Sequence, residues 1–326
     1  MRAAIRTAYG PPDVVHIAEV ERPAPKDGEV LLRVRAAAVN PLDVFSLKGV
    51  PLVRAIPGLR ARAVKILGCD VAGTIESVGA RVTRFRPGDD VFGVTGFSGG
   101  GFAEYACAPE DALALKPANR SFEEAAAVPV AAITALQGLR DKGRIQRGDK
   151  VLIDGASGGV GTFAVQLAKV LGAHVTAVCS TSKVDTARSL GADHVIDYMR
   201  EDFTTAGQRY DLILGVNAHH SIFGYRRALG RHGRFVLIGG DLVRILQTIL
   251  LIPALSLAGG KKTSFFIAKV GHTDLAWLGE LLEAGTIVPV IERCYRLRDV
   301  SHALRHVEEG HARGKVVITL GDDDSA

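Results

Sequence analysis

Hydrophobic positions along this chain follow two different periods, and the change between them falls near residue 120. Before it, short apolar or alternating runs recur: Ala3–Ile5, Val14–Val20, Val30–Val39, Val71–Val78, Val91–Val94 and Phe102–Ala108. Between them stand the turn signals Gly10-Pro11-Pro12, Lys26-Asp27-Gly28, Arg86-Pro87-Gly88-Asp89 and Ser98–Gly101. Runs of this length bounded by Gly, Pro and Asp predict strands, and their spacing predicts a small barrel or sandwich. At Ser121 a hydroxyl followed by Glu123 and Glu124 predicts an N-cap and an acidic first turn, opening an alanine-rich helix.

From Val151 the period alternates. The predicted strands are Val151–Ile153, Val175–Cys179, His194–Asp197, Asp211–Val216 and Arg234–Ile238. Helical spacing follows the first of them, then recurs around Lys183–Leu190 and Ile222–Leu229. Short buried strands alternating with amphipathic helices predict an α/β fold with a doubly wound parallel sheet. Ser264–Ala268 reads as a further strand, followed by helices near Leu275–Ala284 and Val300–Glu309 and a last strand, Lys315–Leu320. The change of period thus separates a β-rich region, residues 1 to about 120, from an α/β region after it. The apolar stretch Leu242–Ala258 is interrupted by Arg244, Gln247 and Pro253 and is short of a roughly 20-residue span. It reads as a buried helix or substrate-pocket wall, which argues against membrane contact.

Composition narrows the function classes. The chain has 326 residues, 47% apolar and 23% charged, enough to bury a substantial core. Its net charge of +5 is spread without a dense Lys/Arg block, which excludes nucleic acid and favours a small anionic ligand. Cys69, Cys107, Cys179 and Cys294 stand far apart, fitting reduced thiols of a cytoplasmic protein. The N-terminus holds no apolar core of signal-peptide length.

The chemistry concentrates in Val151–Lys169, a strand, a glycine turn and a helix. Glycines there allow close backbone approach, and a helix N-terminus presents unpaired N–H groups to an anion. Ser157, Gly158, Gly159, Val160 and Gly161 are therefore the expected pyrophosphate contacts. Ala156, Gly158 and Gly161 occupy the three places of a G-x-G-x-x-G fingerprint, with alanine in the first. The usual ribose-binding acid is absent, for the residue 19 positions after Gly161 is Ser180, with Lys183 one turn on. A hydroxyl and a lysine there point to a 2′-phosphate, hence NADPH; read locally, they are a helix cap and a solvated lysine.

Several ordered motifs resemble the medium-chain dehydrogenase/reductase superfamily on its zinc-free, quinone-oxidoreductase-like branch: Ala36–Asp43, Gly68–Glu76, Arg86–Val91, Gly100–Tyr105, Gly155–Gly161, Leu190–Asp193 and Arg313–Val316. The resemblance implies a GroES-like β-rich catalytic domain over 1–120, completed by about 270–326, split around a Rossmann dinucleotide-binding domain over 121–269, with the nicotinamide in the cleft between them. Where zinc-dependent relatives carry a cysteine and a histidine, this chain has Asn40 and Cys69, so no metal is expected. By position, Asn40 orients substrate or cofactor and Asp43 anchors that loop or relays a proton; Asn40-Pro41 is also a good turn. No tyrosine follows Asp43, whose neighbours are Val44 and Phe45. Thr134, Tyr198, Val216, Gly239, Phe266 and Lys315 carry over as cofactor contacts, each open to a core or surface reading. Sheet-edge pairing of Ser264–Ala268 offers a route to a homodimer.

The reaction so predicted is NADPH-dependent hydride transfer to a hydrophobic quinone or α,β-unsaturated carbonyl without a metal, its pocket lined by Asn40–Arg60 and Leu242–Ala258. Alternatives are an alcohol dehydrogenase or ketone reductase, and a nucleotide-binding protein without catalytic activity.

Overall fold

The computed structural model describes residues 1–50, 65–96, 99–240, 242–257, 260–310 and 312–321. It divides into two compact units, Met1–Val130 with Val270–Ala326, and Ala131–Lys269. The first unit begins with strands β1 (Arg2–Arg6), β2 (Val15–Glu19) and β3 (Glu29–Val39), then helix α1 (Pro41–Lys48). Strands β4 (Lys65–Ile66), β5 (Asp70–Val78), β6 (Asp90–Val94), β7 (Tyr105–Pro109) and β8 (Leu113–Leu115) follow. β1 pairs antiparallel with β2 and β4. β3, the longest strand, pairs antiparallel with both β5 and β7, so its apolar side chains are covered and become the centre of the unit. Helix α2 (Phe122–Ala126) begins at the Ser121 cap, where Ser121 Oγ accepts the Glu124 N–H and the Glu124 carboxylate accepts the Ser121 N–H.

The unit boundary falls within α3 (Pro129–Gln137). The second unit then runs β9 (Lys150–Asp154), α4 (Gly159–Val170), β10 (His174–Cys179), α5 (Val184–Ser189), β11 (His194–Asp197) and β12 (Tyr210–Gly215). It continues with α6 (Ile222–Ala228), β13 (Leu229–Leu237), α7 (Leu242–Leu257) and β14 (Lys262–Phe265). The six strands form one parallel sheet in the order β11-β10-β9-β12-β13-β14. The chain winds outward from β9 to β11, then crosses back to begin again at β12. β9 and β12 therefore flank the switch point of a doubly wound sheet, where ligands bind at the carboxyl ends of the strands.

Helix α7 departs from the expectation of a buried helix. Thr248 and Leu255 are buried, with Ile245 and Leu251 packed on the same core, but Val243 and Leu250 are exposed, Leu250 by 78%. The segment is apolar on both faces and the sheet covers one. Among the described residues no helix is long and apolar enough to cross a membrane.

The chain returns to the first unit through α8 (His272–Glu283), β15 (Ile291–Arg296), α9 (Val300–Glu308) and β16 (Lys315–Thr319). β16 pairs antiparallel with the end of β3, Val316 opposite Val39, completing a sheet in the order β15-β16-β3-β5-β6-β8. That pairing brings Lys315 beside the chain that leads from β3 into α1.

Candidate active site

The glycine turn leaves β9 at Gly155, whose φ of +87° is in the left-handed region that glycine tolerates. Gly161 lies where α4 crosses the strand end: a Cβ there would stand 2.0 Å from the Gly155 carbonyl oxygen. Gly158 faces open space, with the nearest atom 3.7 Å from a hypothetical Cβ. Gly158 is the N-cap of α4 and no side chain caps the helix, so the first-turn N–H groups lack an intrahelical partner. Clearance above Gly158, an uncapped 12-residue helix and no acidic residue in its first turn fit a dinucleotide pyrophosphate.

The other expected cofactor contacts of this unit fall along one edge. Ser180 directly follows β10, Tyr198 follows β11, Val216 follows β12, Gly239 stands two residues beyond β13, and Phe266 follows β14. Because the strands are parallel, these positions share the carboxyl edge with the glycine turn. Ser180 begins the short 3₁₀ turn Thr181–Lys183, and Tyr198 is 56% exposed. Thr134 lies on α3, half-buried.

Asp197, at the end of β11, is opposite Cys179 in the sheet register and accepts the Thr181 hydroxyl at 2.6 Å. That bond, the Met199 N–H and the Arg200 guanidinium 3.4 Å away hold its carboxyl below the ordinary range. A carboxylate thus stands next to the Ser180 turn although none occupies the expected place in sequence, and only the strand pairing reveals it.

In the first unit the sheet gathers a buried polar cluster. Lys315 Nζ donates to Asn40 Oδ1 at 2.7 Å and to Asp70 Oδ2 at 3.3 Å. Asn40 Nδ2 donates to the same Asp70 oxygen at 3.0 Å, while its contacts to Ala38 O and Cys69 Sγ are long, 3.5 and 3.7 Å. Asp70 Oδ1 accepts the Val130 N–H at 3.0 Å. The Lys315 and Asp70 side chains are 3% and 0% exposed. Placed so, Lys315 is bound inside the first unit as the counter-ion of Asp70. Burial pushes the Asp70 carboxyl up, opposed chiefly by Lys315 and the Asn40 amide.

Asn40 is the N-cap of α1, so the Asn40-Pro41 turn is a helix start with proline at N1. Asp43 reaches back to the Asn40 N–H at 2.8 Å and across to the Gly68 N–H at 3.1 Å, anchoring both ends of the cluster. Burial pushes its carboxyl up to about 7 against the pull of these N–H groups. Residues 51–60 of the expected pocket wall lie outside the described residues.

A zinc ion suits this donor set poorly. Position 40 offers an amide, burial and the neighbouring Asp70 and Asp43 push the Cys69 thiol well above its ordinary value, and an ammonium already stands at the centre. Among the described residues no group of three or more His, Cys, Asp or Glu side chains could hold a metal ion. Asp70 was not singled out from the sequence, although an aspartate opening the small, apolar stretch Val71-Ala72-Gly73 is a visible signal.

Residues 26–118 match the model of the alcohol dehydrogenase GroES-like domain, and 190–318 that of the zinc-binding dehydrogenases. A chloroplastic quinone-oxidoreductase of Triphysaria versicolor is 34% identical over 98% of each chain. A 2-methylene-furan-3-one reductase of Solanum lycopersicum is 34% identical, over 98% of this chain and 79% of that protein. The solved quinone oxidoreductase of Coxiella burnetii superposes with a TM-score of 0.88 at 29% identity, covering 98% of this chain and 99% of the other. The two-unit fold, the glycine turn at the sheet's switch point and these full-length likenesses place the chain in the medium-chain dehydrogenase/reductase superfamily, as a quinone-oxidoreductase-like oxidoreductase.

Proposed function

We propose that the protein is an NADPH-dependent reductase that delivers hydride to quinones or α,β-unsaturated carbonyl compounds without a metal. The observation that carries this reading is the buried Asn40–Asp70–Lys315 cluster, in which an amide stands at a position where zinc-dependent relatives hold a ligand and a fixed ammonium is bonded to it. When bound, the nicotinamide supplies the hydride, and negative charge collects on the acceptor's carbonyl oxygen. That oxygen needs a positioned N–H donor. Asn40 Nδ2 has one proton well engaged by Asp70 and a second with only long contacts, and this second proton is the donor. Lys315 on Oδ1 polarises the amide and strengthens that donor, acting as a positioning residue. Asp43 fixes the Asn40 main chain through its N–H.

In the second unit, the backbone of Ser157–Gly161 holds the pyrophosphate, and Ser180 and Lys183 take the 2′-phosphate. Thr181 and Arg200 offset the charge of Asp197 beside that place. Asp154, closing β9, is buried and neutral below about pH 7, so it does not oppose the phosphates there.

The test is cofactor oxidation with NADPH and NADH against a panel of quinones, enones, ketones and alcohols, with and without a chelator. Turnover of quinones or enones that survives chelation is expected, with NADPH preferred. Ser180→Asp should weaken NADPH by about tenfold or more, through one lost charge-assisted contact and repulsion of the 2′-phosphate. Turnover confined to alcohols and saturated ketones, or lost on chelation, would overturn the reading, as would equal use of both nucleotides for the cofactor.

A further inference from the structure

Asp154 is the last residue of β9 and lies immediately before the glycine turn, its side chain buried. β9 and β12 adjoin at the switch point, so the segments leaving their carboxyl ends face the same ligand-binding edge. The main chain joins these segments: Val216 N–H and Asn217 N–H both donate to the Asp154 carbonyl, at 2.9 and 3.1 Å. A side-chain bond joins them again. The Tyr225 hydroxyl, from α6, donates to Asp154 Oδ2. Tyr225 is 1% exposed, stacked on Phe235 with ring centroids 4.4 Å apart and edge-on to His220 at 5.8 Å, so its ring has little freedom to turn. The two segments are also in contact at Gly155, where a Cβ would stand 2.7 Å from Asn217 Cβ.

We propose that the Asp154–Tyr225 pair positions the Gly155–Gly161 turn for the pyrophosphate by fastening it, through α6, to the segment that follows β12. The proposal rests on the reading of that turn as the nucleotide cradle. Neither side chain points to a catalytic role; both act through the backbone of the turn.

The pair also makes the grip sensitive to pH. Burial pushes the Asp154 carboxyl up to about 7, while the Tyr225 hydroxyl and the Gly155 N–H draw it down. The titratable group facing it is Tyr225, raised by the same burial and by Asp154. Behind Tyr225 stand His219 and His220, whose backbone amides bear on its oxygen, and Asp202, 3.9 Å from His220 Nε2. Below about pH 7 the carboxyl is neutral; above it, a buried negative charge stands one residue from the turn that receives an anion. Nucleotide affinity therefore falls as pH rises through neutrality.

The experiment measures the dissociation constant of NADPH by titration calorimetry from pH 6 to 9, with melting temperatures alongside, for the wild type, Tyr225→Phe and Asp154→Asn. The wild-type constant is expected to rise about tenfold across that range, the effect of one buried charge near an anion at intermediate effective dielectric. Asp154→Asn should remove the pH dependence. Tyr225→Phe should weaken binding about fivefold at pH 6 and move the break upward, because the carboxylate loses its donor. A wild-type constant flat with pH, together with unchanged affinity in Tyr225→Phe, overturns the proposal. A wild type that binds no nucleotide at any pH instead removes the reading of the turn on which it rests. Should Asp154→Asn fail to fold, the wild-type profile and Tyr225→Phe still decide the matter.

Discussion

Replacing Lys315 by methionine tests whether its ammonium is the counter-ion that permits Asp70 to be buried. Methionine approximates the length of the lysine stem and removes the charge. In the native cluster Asp70 Oδ2 takes hydrogen bonds from Lys315 at 3.3 Å and Asn40 at 3.0 Å, and Oδ1 takes the Val130 N–H at 3.0 Å. Without Lys315 the carboxylate keeps two donors but no opposite charge. Breaking a fully buried pair in this way costs about 3–5 kcal/mol, because the remaining ion is uncompensated. Asp70→Asn should cost a similar amount by leaving the ammonium with Asn40 Oδ1 and the Val39 carbonyl. The double variant carries no buried charge and should be within about 2 kcal/mol of the wild type, so the two singles are strongly non-additive. Urea unfolding at pH 7, followed by the fluorescence of the single tryptophan, Trp277 on α8 in the first unit, measures all four corners of the cycle. The sign with pH follows from Asp70. Its folded value lies above the ordinary one and goes higher still without Lys315, so the penalty of Lys315→Met is full near pH 8 and shrinks as the solution is acidified. Additive single-mutant costs, or a penalty independent of pH, would refute the pairing.

Two further outcomes follow from the geometry. Gly161→Ala places a methyl 2.0 Å from the Gly155 carbonyl oxygen, so α4 must withdraw from β9; a loss of about 1–3 kcal/mol and of nucleotide binding is expected, and unchanged affinity by calorimetry would contradict the cradle. Asp43, at about 7 in the folded protein against 3.8 ordinarily, contributes a stability that is complete below about pH 4 and is lost as pH rises through about 7. The loss amounts to about 4 kcal/mol, so Asp43→Asn should fall less than the wild type between those pH values in urea titrations, and parallel curves would contradict the burial of the charge.

Much of the fold was legible because its signals are local. The apolar runs before residue 120 became β1, β2, β3, β5, β6 and β7, and the strand–helix alternation after Val151 became the parallel sheet. What escaped has a physical reason in each case. β15 is an edge strand, Ile291-Glu292-Arg293-Cys294-Tyr295-Arg296, with most of its side chains exposed, so it carries no apolar alternation. α1 hides behind Asn40-Pro41, which serves a turn and a helix start equally well. The shared edge of the glycine turn and the strand ends was readable because parallel strands all finish on one side of the sheet. The Lys315–Asn40–Asp70 cluster was not, since its members are separated by up to 275 residues and meet only through the pairing of β16 with β3 and of β3 with β5.

The buried carboxylates explain why these two places are the ones to test. Asp154 is raised from 3.8 to about 7, which at neutral pH sets about 4 kcal/mol against folding, and Asp43 is raised by the same amount. An asparagine or a well-packed apolar residue would relieve that burden at either position. A fold needing only a core would gain by the exchange. Each acid instead ends where main chain must be held in one register: Asp43 across Asn40 and Gly68, Asp154 between the glycine turn and Tyr225. Asp70 does the same between Asn40, Val130 and Lys315, with a counter-ion to reduce its cost. Strongly displaced carboxyls cluster at functional sites for this reason, since ordering a backbone for a ligand is worth more there than the stability forgone. It follows that neutralising Asp43 should give a protein more stable at pH 8 and less able to hold its cofactor or acceptor, the opposite of what a purely structural role would produce, whereas neutralising Asp154 should raise stability at pH 8 and leave a nucleotide affinity that no longer falls with pH.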